Sequence, residues 1–266
     1  MSLPANISVR LRTQRLVQNA SGYTLWRVEE EQRTLDATKT ALVLCDVWDR
    51  HTCRGAEERL ERLLPRMQQV ATAMRRRGAL IVHAPSDTRD FEQLYGRTPA
   101  RRRVLDCPPV GPPHNLDHDD PPLPVDQTDP ACDTCPDEQH PYPWPNERRR
   151  PPATRQHPAI EIDHSRDIIS YQGKELWSFY QQRGIEMVLI MGVHTGMCIL
   201  NRSFSIKQMV RWGLPIALLR DVTDALYHPS KPPYVSHEEA TRLVVEYIEK
   251  FWCPTLLSEE LLLAPA

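Results

Sequence analysis

Four short stretches of this chain are almost wholly apolar and stop on a polar residue: Thr40-Ala41-Leu42-Val43-Leu44-Cys45-Asp46, Ala79-Leu80-Ile81-Val82-His83, Glu186-Met187-Val188-Leu189-Ile190-Met191, and Leu214-Pro215-Ile216-Ala217-Leu218-Leu219 with Arg220-Asp221 after it. A run without alternation leaves no face for water, so each reads as a central strand covered on both sides. Between them lie amphipathic stretches. Glu57 to Arg77 repeats Leu60, Leu63, Leu64, Met67, Val70, Ala71 and Met74 at three- and four-residue spacing, and Gly78 stops it. Gly173 to Arg183 stops at Gly184, Met197 to Trp212 stops at Gly213, and His237 to Phe251 is the last long helix. A short helix near Phe91 and a strand over Ala159-Ile160-Glu161-Ile162 complete the pattern. Strand and helix in alternation predict an α/β chain: a three-layer α/β/α sandwich on a mainly parallel, Rossmann-like sheet.

Two segments stand outside that alternation. Ile7-Ser8-Val9-Arg10-Leu11 and Tyr23-Thr24-Leu25-Trp26-Arg27-Val28 alternate apolar with polar around the turn signal Asn19-Ala20-Ser21-Gly22, which predicts an N-terminal hairpin within residues 1–39. Residues 97–158 hold sixteen of the 25 prolines, with few apolar residues and no period. They read as a long ordered or semi-ordered proline-rich insertion, a lid on one reading and disordered on the other, carried by a single domain over 1–266. The net charge of -2 gives no ground for nucleic-acid or anionic-membrane binding. No run is long enough to span a bilayer, and no basic patch precedes an apolar core at the start, so the expected location is cytoplasmic with reduced thiols. Only five lysines (Lys39, Lys174, Lys207, Lys231, Lys250) stand among the 33 basic side chains. Any chemistry that needs a lysine therefore has few candidates.

In parallel sheets ligands sit beyond the carboxyl ends of the strands. Three such ends carry reactive groups: Asp46, His83, and Gly192-Val193-His194-Thr195-Gly196-Met197-Cys198. Cys198 stands at a helix start, where unpaired N–H groups favour a thiolate and can hold an oxyanion. Asp46, from another strand, can be its base. A cysteine on an apolar helix is, taken alone, more often core filler, and a carboxylate at a strand end can be a cap.

Leu44-Cys45-Asp46-Val47-Trp48-Asp49 together with Gly184 to Cys198 resembles the isochorismatase-like cysteine hydrolases, the superfamily of nicotinamidases and N-carbamoylsarcosine amidase. The resemblance spans 41–96 and 159–255 and leaves out the hairpin and the insertion. It implies the strand order 3-2-1-4-5-6, a cis bond at Val193–His194, and an amidase attack in which Cys198 is the nucleophile and Asp46 the base. It also implies an oxyanion hole from the backbone at His194 and Cys198. Hydrolysis of a small-molecule amide or related C–N bond through a thioester, with no required cofactor, is the activity implied. A homo-oligomer is expected by the same resemblance. Trp48, His51, His83, Val193 and Thr195 are expected to line the substrate pocket. The amidases' third member is a lysine, expected near Asp163-His164-Ser165-Arg166, where none stands; His164, Arg166 and Lys174 are the nearest substitutes. The missing lysine leaves open a second reading, a non-catalytic or altered-chemistry member that binds a small molecule.

Two metal readings are kept beside these. Asp49, His51 and His83 could hold a metal or form a polar pocket wall. Cys132 and Cys135 with His140, and His114 and His118 upstream, give half of a zinc spacing, against incidental ligands in a proline-rich loop. The arginine runs 75–77, 101–103 and 148–150 read as solvated faces or intersubunit ion pairs, and Tyr142-Pro143-Trp144-Pro145 as a lid or an extended linker.

Overall fold

The computed structural model describes residues 5–128, 131–134 and 153–263. The apolar runs form the middle of one sheet: β3 (Thr40–Cys45), β4 (Leu80–Ala84), β6 (Met187–Val193) and β7 (Ile216–Asp224). The hairpin is longer than its alternation suggested, with β1 (Asn6–Gln18) and β2 (Thr24–Asp36) in unbroken antiparallel register. Two short strands, β5 (Ile168–Ile169) and β8 (Thr255–Leu256), finish the sheet in the order β2-β1-β8-β7-β6-β3-β4-β5. Strands β3 to β8 are parallel to their neighbours, and β1 joins β8 antiparallel through Arg12 and Thr255. Read from the β5 edge, the parallel strands follow the order 3-2-1-4-5-6.

Alternate residues of each buried strand enter opposite layers. Leu42, Leu44 and Ile81 pack against Leu60, Leu64, Met67, Val70 and Met74 of α1 (Arg54–Arg76) and Leu261 of α8 (Ser258–Leu262). Val43, Cys45 and Val82 face the other way, onto α4 (Gly173–Arg183), α5 (Cys198–Asn201), α6 (Ile206–Arg211) and α7 (His237–Phe251). Each of these side chains is fully or almost fully buried, at about 1.5–3 kcal/mol apiece in transfer free energy. The small α2 (Phe91–Tyr95) and α3 (Pro99–Leu105) close the β5 edge with Phe91, Tyr95, Ala100 and Ile169 in contact.

Two expectations need correction. Residues 159–162 are not a strand; Ile160 is buried in a turn tied to His157, and the third parallel strand is the two-residue Ile168–Ile169. The stretch 197–212 is two helices, because α5 ends after one turn and the chain is extended at Arg202. The described part of the insertion is ordered, as one of its readings expected, though it does include a helix: α3 lies within it with Ala100 and Val104 buried. Val110, Leu116, Asp126 and Gln127 are hydrogen-bonded to Ser178, Arg211, Pro232 and Leu226. Cys135, His140, residues 142–145 and the run 148–150 lie outside the described residues. Of the remaining half of the zinc spacing, His118 stacks on Trp252, His114 is exposed, and Cys132 sits near the start of α1 beside Cys53. No described helix is long and apolar enough to cross a membrane.

Candidate active site

Strand β3 ends at Cys45, and the next residue, Asp46, has a φ of 51°, in the left-handed region that aspartate tolerates better than most residues. Its carboxylate is fully buried. One oxygen accepts from the N–H of Ser86 at 2.8 Å and from its hydroxyl at 2.5 Å; the other lies 3.2 Å from Nε of Arg202. Burial pushes the Asp46 carboxyl above its ordinary value, against the pull of Arg202 and Ser86. A buried carboxylate with a raised affinity for protons, and a cation to keep it ionised, is suited to accept one.

The donor faces it from the neighbouring strand. Gly192, at φ 125°, lets β6 run so close to β3 that a Cβ there would fall 2.0 Å from the carbonyl oxygen of Cys45. The Val193–His194 bond that follows is cis. The chain then folds back, with the N–H groups of Met197 and Ile199 both donating to the His194 carbonyl, and Cys198 opens α5. Its thiol is half-buried, and the Asp46 carboxylate and the His194 backbone N–H both act on its ionisation. Burial and the Asp46 charge push this thiol up to about 12. That corrects the thiolate expected from the helix start: α5 is one turn long and has little dipole to offer, so the resting group is a thiol held against its base.

The sequence reading missed Arg202. It lies four residues past Cys198, the spacing that sets two side chains on one helical face, but the helix stops before reaching it. The stop has a packing cause. Gly173 at the start of α4 lies against Ser203, where a Cβ would fall 1.8 Å from the Ser203 carbonyl oxygen, and the Gly173 N–H donates to the Ser203 hydroxyl at 3.0 Å. Extended there, Arg202 reaches Asp46 with Nε and Asp87 with Nη1 at 2.6 Å. Burial works against its charge, but Asp46, the Cys198 sulfur and Asp87 together hold it above its ordinary value.

The substitutes named from sequence lie elsewhere. Lys174 is exposed in the first turn of α4, beside a cleft with Phe91, Glu92, Arg101 and Glu175. His164 lies beside a cleft with Leu94, Tyr95 and Arg155, its carbonyl held by Arg103. Arg166 pairs with Asp163 at 2.9 Å. The residues that surround the Cys198–Asp46 pair are Ser86, Arg202 and the backbone of His194.

Of the expected pocket residues, Trp48 and His51 gather with His194. Trp48 stacks on His51 with ring centres 5.8 Å apart, and His51 meets His194 edge-on, Nε2 to Nε2 at 3.1 Å. Burial, with the neighbouring His51, pushes the His194 imidazole down to about 3, so it is neutral. Val193 and Thr195 are enclosed: the first accepts from Cys45, the second pairs with the Thr223 hydroxyl at 2.8 Å and with the Asp224 carbonyl. They shape the loop and do not line an open surface. His83 is in neither group. It points into the α1 layer, fully buried, with Nδ1 at 2.9 Å from Gln156 and Nε2 at 3.0 Å from Asp167.

The metal set Asp49, His51 and His83 is likewise not brought together. Asp49 accepts from Thr154 and Arg155, His51 Nδ1 accepts from the Cys53 N–H, and both His83 nitrogens are engaged. Among the described residues no group of three or more His, Cys, Asp or Glu is arranged to hold a metal ion.

No family model and no curated protein matches the chain. Its fold is similar to three solved structures of one kind. A cysteine hydrolase from Pseudomonas syringae pv. phaseolicola is 16% identical over 86% of this chain and 92% of that one, with a TM-score of 0.49. An isochorismatase from Pseudomonas putida is 11% identical over 84% and 90%, with a TM-score of 0.48. A pyrazinamidase of Pyrococcus horikoshii, in complex with zinc, is 16% identical over 82% and 99%, with a TM-score of 0.42.

Proposed function

We propose that this chain is a cysteine-dependent hydrolase of a C–N bond in a small amide, ureide or carbamoyl compound, with Cys198 as nucleophile and Asp46 as base. The observation that carries the reading is that the Cys198 thiol and the buried Asp46 carboxylate lie close enough to act on each other's ionisation, with Arg202 on the same carboxylate. In the first step Asp46 takes the thiol proton as Sγ bonds to the carbonyl carbon. The oxyanion draws on the N–H groups of His194 and Cys198. The C–N bond then breaks, and the leaving nitrogen takes the proton back from Asp46. Water attacks the thioester with Asp46 again accepting a proton, and the acid leaves as the thiol re-forms.

Arg202 stands where a third charged member is needed. A guanidinium stays protonated throughout, so it supplies fixed positive charge and moves no proton. All proton movement then falls to Asp46. A cation at that place weighs against the non-catalytic reading, whose ground was the lysine's absence.

A screen of amides, ureides and carbamoyl compounds for ammonia release tests the reading, with Cys198→Ala as control. Release by the native protein alone supports it; equal release by both would end it.

A further inference from the structure

The hairpin leaves one side of this sheet unfinished. Among the described residues strand β2 is the last strand, and it runs thirteen residues with no proline, lysine or bulge to blunt it. Natural sheets protect such edges by those devices, by charged side chains or by pairing, and β2 carries charges of both signs, Arg27 and Arg33 with Glu29, Glu30 and Glu31, which admit a partner of matching pattern. Its surface also carries apolar groups in the open: Leu25 at 40%, Trp26 at 38% and Val28 at 51% exposure, with Leu16 of β1 at 57%. Trp26 is partly covered by Phe251, 5.5 Å away and edge-on; the others face solvent.

The charge pattern selects what can pair there. Antiparallel pairing of two copies of β2 places a two-fold axis at one residue, and residues equally distant on either side face each other. With the axis at Val28, Arg27 of each copy faces Glu29 of the other, valine meets valine, and the overlap runs from Thr24 to Gln32. An axis at Arg27, Glu29, Glu30 or Glu31 sets like charges against each other at the centre. Like charges directly opposite are destabilising, while opposite charges and β-branched pairs contribute about 0.2–1 kcal/mol each.

We propose that β2 pairs antiparallel with β2 of a second copy about an axis at Val28, so that one sheet continues through a dimer. The interface lies at the far edge of the sheet from β5 and needs nothing from the Cys198 site, so it stands or falls independently of the proposed chemistry.

Sedimentation and light scattering on the full chain test it, with charge reversal and rescue. The native protein is expected to be a dimer. Arg27→Glu and Glu29→Arg, each alone, put two like-charge pairs beside the axis and should weaken dimerisation by about tenfold or more. Arg27 and Glu29 also pair within each strand at 3.2 Å, so the double variant Arg27→Glu/Glu29→Arg restores opposite charges both within the strand and, among intermolecular registers, in this one alone, and should recover most of the affinity. Arg27 is exposed and Glu29 is partly exposed and bridged to Arg27 and Arg15 of its own chain, so the thermal midpoint of each single variant in the monomer separates loss of that bridge from loss of dimerisation. A native chain that stays monomeric at its highest soluble concentration overturns the proposal. So does a dimer indifferent to both single changes, or a double variant no better than the singles.

Discussion

Two buried carboxylates flank the sheet of this molecule, Asp46 just after β3 and Asp167 just before β5, each against an arginine, and only one of them is available. Asp167 receives Arg75 at 2.7 and 2.9 Å, Nε2 of His83 at 3.0 Å and the Asp163 N–H at 2.8 Å. Burial alone would raise its pKa, but hydrogen bonds from His83 and Arg75 outweigh that and hold it below the ordinary aspartate value. Asp46 has the same burial and a single, more distant arginine contact, and it ends up above that value with a thiol on it. Residue types alone do not separate a structural ion cluster from a reactive one. The separation comes from how many donors saturate the carboxylate, and hence whether it still has use for a proton.

The largest expected effect follows from that contrast. Asp46→Asn should lower kcat by about 10²–10⁴, the usual worth of a positioned base, and Cys198→Ala should abolish turnover. Asp167→Asn should leave kcat within a small factor of the native value. The stabilities should run the other way. Asp167→Asn leaves Arg75 buried without its charge partner, at about 3–5 kcal/mol, and the thermal midpoint should fall. The midpoint of Asp46→Asn should be no lower than the native one. Calorimetry and turnover on both variants check this together; equal loss of activity in the two would erase the distinction.

The pH dependence sharpens it. For Asp167 the folded pKa is depressed, so its contribution is complete above the ordinary value of 3.8 and is lost as pH falls through the folded value. For Asp46 the folded pKa is raised, so its stability term is present below 3.8 and is lost as pH rises through the folded value, where the base becomes active. The acid limb of kcat/KM should therefore lie above the ordinary aspartate range. Arg202 lowers the Asp46 pKa, so Arg202→Gln should move that limb to higher pH, while Arg202→Lys, which keeps a charge, should leave it near the native position. A limb that does not move in Arg202→Gln would remove Arg202 from the site's electrostatics. His194 adds a separate term: neutral in the fold, it loses stability as pH falls from 6.5 toward about 3, and a pH series of thermal midpoints should show a decline across that window.

The same contrast explains what could be read from the chain beforehand. The buried strands were legible because a continuous apolar run leaves few alternatives. Asp46 and Cys198 followed because ligands collect at strand carboxyl ends. His83 was placed wrongly for a related reason. A strand residue faces one layer or the other with a period of two, and an all-apolar run carries no polar position to say which. Its partners, Asp167 and Gln156, come from distant irregular segments that no periodicity announces. Arg202 was hidden by an apolar period that continues through a helix break, and that break is set by the Gly173–Ser203 contact, visible only in three dimensions. Ile168–Ile169 is too short to register against the apolar Ala159–Ile162 upstream.

The smallest effect is also the most discriminating, because it opposes loss of function to gain of reactivity. In the native protein the Cys198 thiol is pushed up to about 12 by burial and then by the Asp46 charge, with Arg202 pulling the other way. Replacing Asp46 with asparagine removes the negative neighbour and leaves the guanidinium. The thiol should then ionise at lower pH even as turnover collapses. Alkylation of Cys198 by iodoacetamide, followed by mass spectrometry between pH 7 and 10, should therefore be faster in Asp46→Asn than in the native protein at the same pH. The Asp167→Asn variant, whose carboxylate acts on His83 and Arg75, should match the native rate. An Asp46→Asn thiol that reacts more slowly would mean that Asp46 draws the proton off Cys198 already at rest. The cysteine would then be a preformed thiolate, as in an ion-pair nucleophile, and no longer a thiol waiting for its base.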